Sequence, residues 1–334
     1  MANAPLFDPA EGTLVRQAPK AEPGWWAGAP SANFDASSNT FYLVYRYRQP
    51  REMGRGVECR IAVSDNGITF TDIWALPKTS FDAVSIERCS LTRAQDGEWI
   101  LYISYVNPVD NRWQISLIES FAPDTFDVGN LRPLFTAEST RTDGVKDPNV
   151  FLIGPMYYML VSYGQICDST GGAAHFEKHG TGDVFNTGLT LSRTAAAISG
   201  DGRNYRWIGD VSPKGGSHHI ASSQSDHMEM QSAWDWYCRR TSTLVSLDGG
   251  GYMALYDGSA SVAQNYEEKT GLALSHDLRQ FISVTADAPA IITSNGSGSV
   301  RYTDVLRVGR ELFYYYEVTR ENGSHDLCVN VVET

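Results

Sequence analysis

The chain has 334 residues, of which 20% are charged and 42% belong to the apolar set, with a formal net charge of -12. That length and balance supply ample material for a hydrophobic core and exclude a largely disordered chain. The negative charge argues against nucleic acid or an anionic membrane surface as a partner, because the mean field would repel both.

The first residues, MANAPLFDPAEG, have neither the basic start nor the apolar run of a secretion signal. No stretch approaches the ~18 apolar residues of a membrane span, so the expected address is cytoplasmic. Cys59, Cys89, Cys167, Cys238 and Cys328 are odd in number and lack any C-x-x-C spacing. Reduced thiols are expected, with no metal site of the usual kind and no cofactor.

After a short candidate strand at Gly12-Thr13-Leu14-Val15-Arg16, a repeat begins. Five strongly apolar strands each end in a polar residue: FYLVYR at Arg46, ILYIS at Ser104, YMLVS at Ser162, MALYD at Asp257 and FYYYE at Glu317. The intervals are 58, 58, 95 and 60 residues. Near-constant spacing broken once is how a radially repeated sheet with one insertion looks in sequence. Third strands follow at Ile61, Ile115, Leu189 and Leu272, several running into a serine-acid turn, while the last unit has only DLCVNVV. Runs of five to seven residues bounded by Gly, Asn and Asp predict β structure. The expected fold is all-β, a five-bladed propeller in a single domain over 1–334, with the strand near Thr13 closing the fifth blade and removing a free edge. A long insertion between blades 3 and 4, approximately 165–237, holds His175, His179, His218, His219 and His227 and is expected to act as a lid.

The stretch RTDGVKDPNVFLIGPMYYMLVSYG, from Arg141 to Gly164, places Asp147-Pro148 at the start of a strand and a turn at Gly154-Pro155. Proline after Asp147 removes a backbone donor and biases Asp147 towards extended geometry, which suits an inner strand opening on a cavity. Five units of this length, the Asp-Pro opening the third, and the serine-acid turn together resemble the five-bladed propellers of the arabinanase, β-xylosidase, invertase and levansucrase superfamily, whose architecture the mannoside phosphorylases share. The resemblance implies a carbohydrate substrate and carboxylates on the innermost strands around a pocket at the channel mouth. Asp147 matches the Asp-Pro of the arabinanase-like pattern. Gly28-Ala29-Pro30 stands where that pattern has an acid before proline, and Arg239-Arg240 where it has a glutamate.

Aligned on the ends of their second strands, the inner strands open at Ala29-Pro30, Glu87-Arg88, Asp147-Pro148, Arg240-Thr241 and Arg301-Tyr302. Glu87 and Asp147 are therefore the principal catalytic candidates, with Arg88, Lys146, Arg240 and Arg301 beside them to bind substrate. Mixed charge of this kind moves pKa values in both directions, as an acid and base pair needs, with Glu87 the expected donor. The alternative is a ring of structural ion pairs between blades. Asp257 and Glu317 end their second strands and could add a further acid, Asp257 as a third catalytic candidate, or hold the arginines. Glu229 could reach the pocket from the insertion, and Trp26 and Tyr302 offer flat faces of the sort that stack on sugars. The expected function is hydrolysis of a small glycoside or oligosaccharide. A glycoside phosphorylase, another enzyme handling an anionic small molecule, and a non-catalytic sugar-binding propeller stand as alternatives, and the oligomeric state is open.

Overall fold

A computed structural model describes residues 4–167, 174–215 and 233–334. The described residues form twenty strands, four to a blade. Blade 1 is β2 (Trp26–Asp35), β3 (Thr40–Arg48), β4 (Gly56–Ser64) and β5 (Thr71–Pro77), and blade 2 is β6 (Ser90–Arg93), β7 (Trp99–Val106), β8 (Trp113–Ser120) and β9 (Arg132–Phe135). Blade 3 is β10 (Val145–Ile153), β11 (Met156–Ile166), β12 (Thr190–Ser199) and β13 (Arg206–Asp210). Blade 4 is β14 (Cys238–Ser246), β15 (Tyr252–Ser259), β16 (Lys269–Ser275) and β17 (Ile282–Ser283). Blade 5 is β18 (Val300–Val308), β19 (Glu311–Thr319) and β20 (His325–Glu333), completed by β1 (Thr13–Arg16), which pairs antiparallel with β20. The strand near Thr13 thus does close the ring, and the fold is the expected five-bladed propeller.

The apolar second strands follow from what covers them. In a propeller both faces of each blade are packed by neighbours, so β7 is buried along its whole length and β19 everywhere after Glu311. Five apolar clusters occupy the five interfaces between blades. Val44 and Ile61 meet Leu91, Leu101 and Ile103 between blades 1 and 2, and Tyr102 and Ile115 meet Met159, Val161 and Ala197 between blades 2 and 3. Leu160 and Ala196 meet Ala254 and Tyr256 between blades 3 and 4, and Val245 and Leu255 meet Leu312 and Tyr314 between blades 4 and 5. The fifth cluster joins Leu43 and Ala62 of blade 1 to Tyr315 and Leu327 of blade 5, so the ring closes on itself.

The serine-acid turn also has a physical reason. Ser64, Ser199 and Ser275 each accept backbone N–H groups through their hydroxyls as the third strand ends, and Asp201 and Asp277 accept those two and three residues on. A tyrosine of the preceding blade then bonds a carbonyl of the turn: Tyr315 to Gly67 at 2.7 Å, Tyr102 to Gly202 at 2.6 Å and Tyr158 to Leu278 at 2.7 Å. The repeated turn is therefore a latch between blades.

The insertion differs from expectation. Residues 165–237 are not one excursion between blades 3 and 4, because β12 and β13 fall inside that range and complete blade 3. One excursion joins β11 to β12 within blade 3, and the other joins β13 to β14. The first carries the short helix α2, His175–His179, whereas helix α1, Ala137–Thr140, lies outside it, between β9 and β10. In α2 His179 is buried, and burial together with Arg112 lowers it to about 4, so its imidazole is neutral. His218, His219, His227 and Glu229 lie outside the described residues. Among the described residues no helix is long and apolar enough to cross a membrane.

Candidate active site at the channel mouth

Each blade delivers the start of its inner strand to the channel. Gly28 sits opposite Arg46, Lys146 opposite Ser162, Arg240 opposite Asp257 and Arg301 opposite Glu317, while the Glu87 N–H donates to Ser104 at 2.9 Å. One residue further on, the register slips in blades 1, 3 and 5, and Ala29, Asp147 and Tyr302 take left-handed conformations with φ of 51°, 55° and 52°. These bulges correct the sequence alignment: Asp147 shares its position with Ala29 and Tyr302, and it is Lys146 that lies level with Glu87, Arg240 and Arg301. They also overturn the extended geometry expected for Asp147. Aspartate tolerates this backbone better than most residues, and such strain clusters at functional sites. Backbone bonds hold it, from the Asp147 N–H to Ser104 Oγ at 3.1 Å and from the Tyr302 N–H to Asp257 Oδ1 at 3.0 Å.

Most of the channel charge is locked. Arg301 donates to Glu317 Oε1 through Nε at 2.8 Å and Nη2 at 2.6 Å, and to Glu268 Oε2 through Nη1 at 2.6 Å. Arg240 donates to Asp257 Oδ2 at 3.1 and 2.8 Å. His325 Nδ1 lies 2.8 Å from Glu317 and its Nε2 3.1 Å from Glu267. Arg46 bonds Glu87 and approaches Glu317 at 3.4 Å. Gly28 makes this possible, since a Cβ there would lie 2.0 Å from Glu317 Oε2.

These partners set the protonation states. Burial alone would raise every acid here, but Arg46 and Lys146 bring Glu87 down to about 2, and Arg301 and Arg240 do the same for Glu268. Glu317 is held well below the usual carboxylate range by Arg301 and Arg46 against its burial. Asp257 behaves oppositely: burial and the nearby Glu268 charge outweigh Arg240 and push it up to about 6. Glu87 is consequently ionised at neutral pH, and the guanidinium beside it contradicts its expected role as proton donor.

Asp147 is held differently. Its carboxylate meets the Tyr302 hydroxyl at 3.4 Å, Lys146 Nζ at 3.5 Å and Arg240 Nη1 at 3.6 Å. Lys146 itself lies over the Phe185 and Trp113 rings, 4.8 and 5.2 Å from their centroids.

The structure brings Glu87, Lys146, Asp147, Arg240, Asp257, Arg301, Tyr302 and Glu317 into one connected cluster. Two of the expected binding residues are engaged elsewhere. Arg88 reaches Ser242 O at 2.6 Å and Asp304 at 3.2 Å, a tie across the channel to blades 4 and 5 that Asn149 extends through its own bonds to both. Trp26 is buried with His325 stacked on it at 4.5 Å and with Arg48 and Arg301 at 3.9 and 4.5 Å from its ring centroid, so its faces are filled by the protein's own groups rather than free for a sugar.

Sequence reasoning missed Arg46, Arg48, Glu268 and His325. The first two carried a signal: spaced by two at the end of FYLVYRYR, they must share one face of β3. Arg48 is buried between the Trp26 and Tyr266 rings, each 3.9 Å away, and its Nε and Nη1 have no hydrogen-bond partner. Burial lowers its pKa. Glu268 and His325 precede or open outer strands, and only the closed ring brings them to the axis. Among the described residues no group of three or more His, Cys, Asp and Glu side chains is arranged to hold a metal ion.

No family model matches the chain, and no curated protein matches it. Solved structures do share its fold. A β-xylosidase, RS223, has a TM-score of 0.61 at 11% identity, covering 95% of this chain and 95% of that one. The GH43_1 enzyme from Xanthomonas citri complexed with xylose has a TM-score of 0.62 at 11% identity, covering 96% and 90%. A glycosyl hydrolase from Bacteroides ovatus has a TM-score of 0.59 at 12% identity, covering 96% and 94%.

Proposed function

We propose that the chain is a carbohydrate-active enzyme that hydrolyses a glycosidic bond in a small glycoside or oligosaccharide, with Asp147 as its central carboxylate. The observation that carries this reading is how Asp147 is held. Every other channel acid named above has a partner at 3.2 Å or closer, whereas Asp147 has three donors from three blades, all at 3.4–3.6 Å. Catalytic hydrogen bonds are often long in a free enzyme and tighten when substrate arrives. A carboxylate in this position can stabilise the positive charge of an oxocarbenium-like transition state, with Lys146, Arg240 and the Tyr302 hydroxyl fixing its place. Asp257 acts as a positioning residue, through Arg240. The shared fold with glycoside hydrolases adds support by analogy only. The ring works as one domain, since blade 5 takes β1 from the far end of the chain, and a cytoplasmic setting suits buried Cys59, Cys89, Cys238 and Cys328.

Release of nitrophenol from a panel of aryl glycosides, run for the wild type and Asp147→Asn, tests the proposal. Turnover that disappears in the variant is expected. No turnover on any substrate, together with sugar binding that survives the substitution, would identify a non-catalytic binder instead.

A second reading has its own observation. The unpartnered donors of Arg48, with Nη1 and Nη2 of Arg46 also lacking hydrogen-bond partners, suit an anionic substrate or a phosphate co-substrate. Turnover that requires inorganic phosphate would favour a phosphorylase over a hydrolase.

A further inference from the structure

A second cavity lies on the same side of the ring as the channel mouth but outside the channel, where β11 ends, β12 begins and β13 runs towards β14. Its volume is about 260 Å³, and Tyr163, Arg193, Asp210, Ser212, Lys214 and Arg239 line it. Arg239 neighbours Arg240 in β14, and successive residues of a strand point to opposite faces, so one arginine enters the channel and the other this cavity.

The charge here is unbalanced. Among the described residues three cations, Arg193, Lys214 and Arg239, face one lining carboxylate, Asp210, which is already bonded by the Tyr163 hydroxyl at 3.0 Å and Ser212 Oγ at 2.6 Å. Behind the wall Asp235 pairs with Arg239 at 2.9 Å, which among the described residues still leaves one positive charge in excess. Arg239 is 7% exposed, and its Nε has no hydrogen-bond partner. Arg193 spends its terminal nitrogens on the Ser192, Trp236 and Tyr237 carbonyls, which fixes its guanidinium beside the cavity. Burial and the proximity of Arg239 both disfavour its charge, a repulsion that an anion between them would relieve. Ligand pockets for whole drug-sized molecules span ~300–1,000 Å³, so this one is sized for a single sugar or a smaller group.

We propose that this cavity is an anion-binding site that takes a carboxylate or phosphate group. It differs from the channel in its residues, and it does not depend on the catalytic reading of Asp147. Two sources carry that chemistry: a free oxyanion, or an acidic sugar.

Isothermal titration at low ionic strength, using inorganic phosphate, glucuronate and neutral glucose as probes, tests it. Lys214 is the residue to vary, because its exposed side chain can change while its backbone bonds to Phe281 and Ser283 remain. Phosphate or glucuronate should bind where glucose does not. Lys214→Glu should weaken that binding at least about 10-fold and Lys214→Arg should preserve it, since a fully reversed charge at one contact exceeds the effect of its loss. Phosphate binding without glucuronate binding assigns the site to a free oxyanion, and tighter glucuronate binding assigns it to an acidic sugar. Equal binding of glucose, absence of binding by both anions, or unchanged affinity in Lys214→Glu overturns the proposal.

Discussion

The openings of blades 3 and 5 occupy equivalent places in the ring and behave in opposite ways. In blade 5 Arg301 is fixed by Glu317 and Glu268 with three bonds of 2.6–2.8 Å, and His325 backs the arrangement. In blade 3 Lys146 faces aromatic rings, and the contacts of the Asp147 carboxylate are 3.4–3.6 Å. Both openings carry the same bulge and the same left-handed residue, so the backbone does not explain the difference. The partner strands do: β19 carries Glu317, an acid opposite Arg301, whereas β11 offers Ser162 opposite Lys146. A buried arginine with two acids becomes framework, and a carboxylate with two more distant cations is held less tightly.

The largest effect should come from breaking the framework. Arg301→Gln leaves Glu268 and Glu317 buried without their main counter-charge, and removing one member of such a pair costs roughly 3–5 kcal/mol. The unfolding free energy from urea denaturation should fall by that amount, with a correspondingly lower midpoint. Little change would mean that the blade 5 network is no more committed than blade 3.

Asp147→Asn probes the other side. The amide keeps the shape, and asparagine also tolerates the left-handed backbone. Turnover on a confirmed substrate should fall at least about 100-fold, within the range of acid-base and electrostatic groups. The melting temperature should barely move. Normal turnover, or failure to fold, would place Asp147 with the framework residues.

Gly28→Ala sharpens the contrast at a smaller scale. The new methyl would meet Glu317 Oε2 at 2.0 Å, so Glu317 must shift away from Arg46 and Arg301. Overpacking of this kind costs about 1–3 kcal/mol, measurable by thermal denaturation, while the blade 3 opening keeps its geometry.

The effect that is smallest at any one pH step is in the pH dependence. Glu87 and Glu268, both lowered to about 2 from 4.5, contribute stability that is complete above pH 4.5 and lost as pH falls towards 2. Asp257, raised from 3.8 to about 6, has the opposite sign: its folded form prefers the proton, so stability from this group declines as pH rises through that window. Glu87→Gln should flatten the acid limb of a stability profile below pH 4.5. Because a single group changes the slope by at most about 1.4 kcal/mol per pH unit, the comparison needs closely spaced denaturation curves. An unchanged acid limb would show that Glu87 is not held by Arg46 as its environment implies.

Much of this molecule was legible in its sequence because propeller strands repeat a local pattern. Period-two strands, serine-acid turns and spacing near 60 residues depend on short-range sterics and on burial of both blade faces, and they led to five blades and to the strand at Thr13 as the closing piece. They also led to Asp147, Glu87, Arg240 and Arg301 as channel residues. The state of each residue was not legible there. Whether an acid is ionised, locked or loosely held depends on groups elsewhere in the chain, Glu87 on Arg46 and Asp257 on Glu268 and Arg240, and whether the Trp26 ring is free depends on Arg48 and His325. A one-residue bulge, invisible in a repeat spacing, decides which side chains are level with one another. The same bulge decides which residue takes a left-handed backbone. Tertiary structure settles these matters because Coulomb energy and desolvation act through space, and the ring brings residues hundreds of positions apart within a few ångströms of one axis.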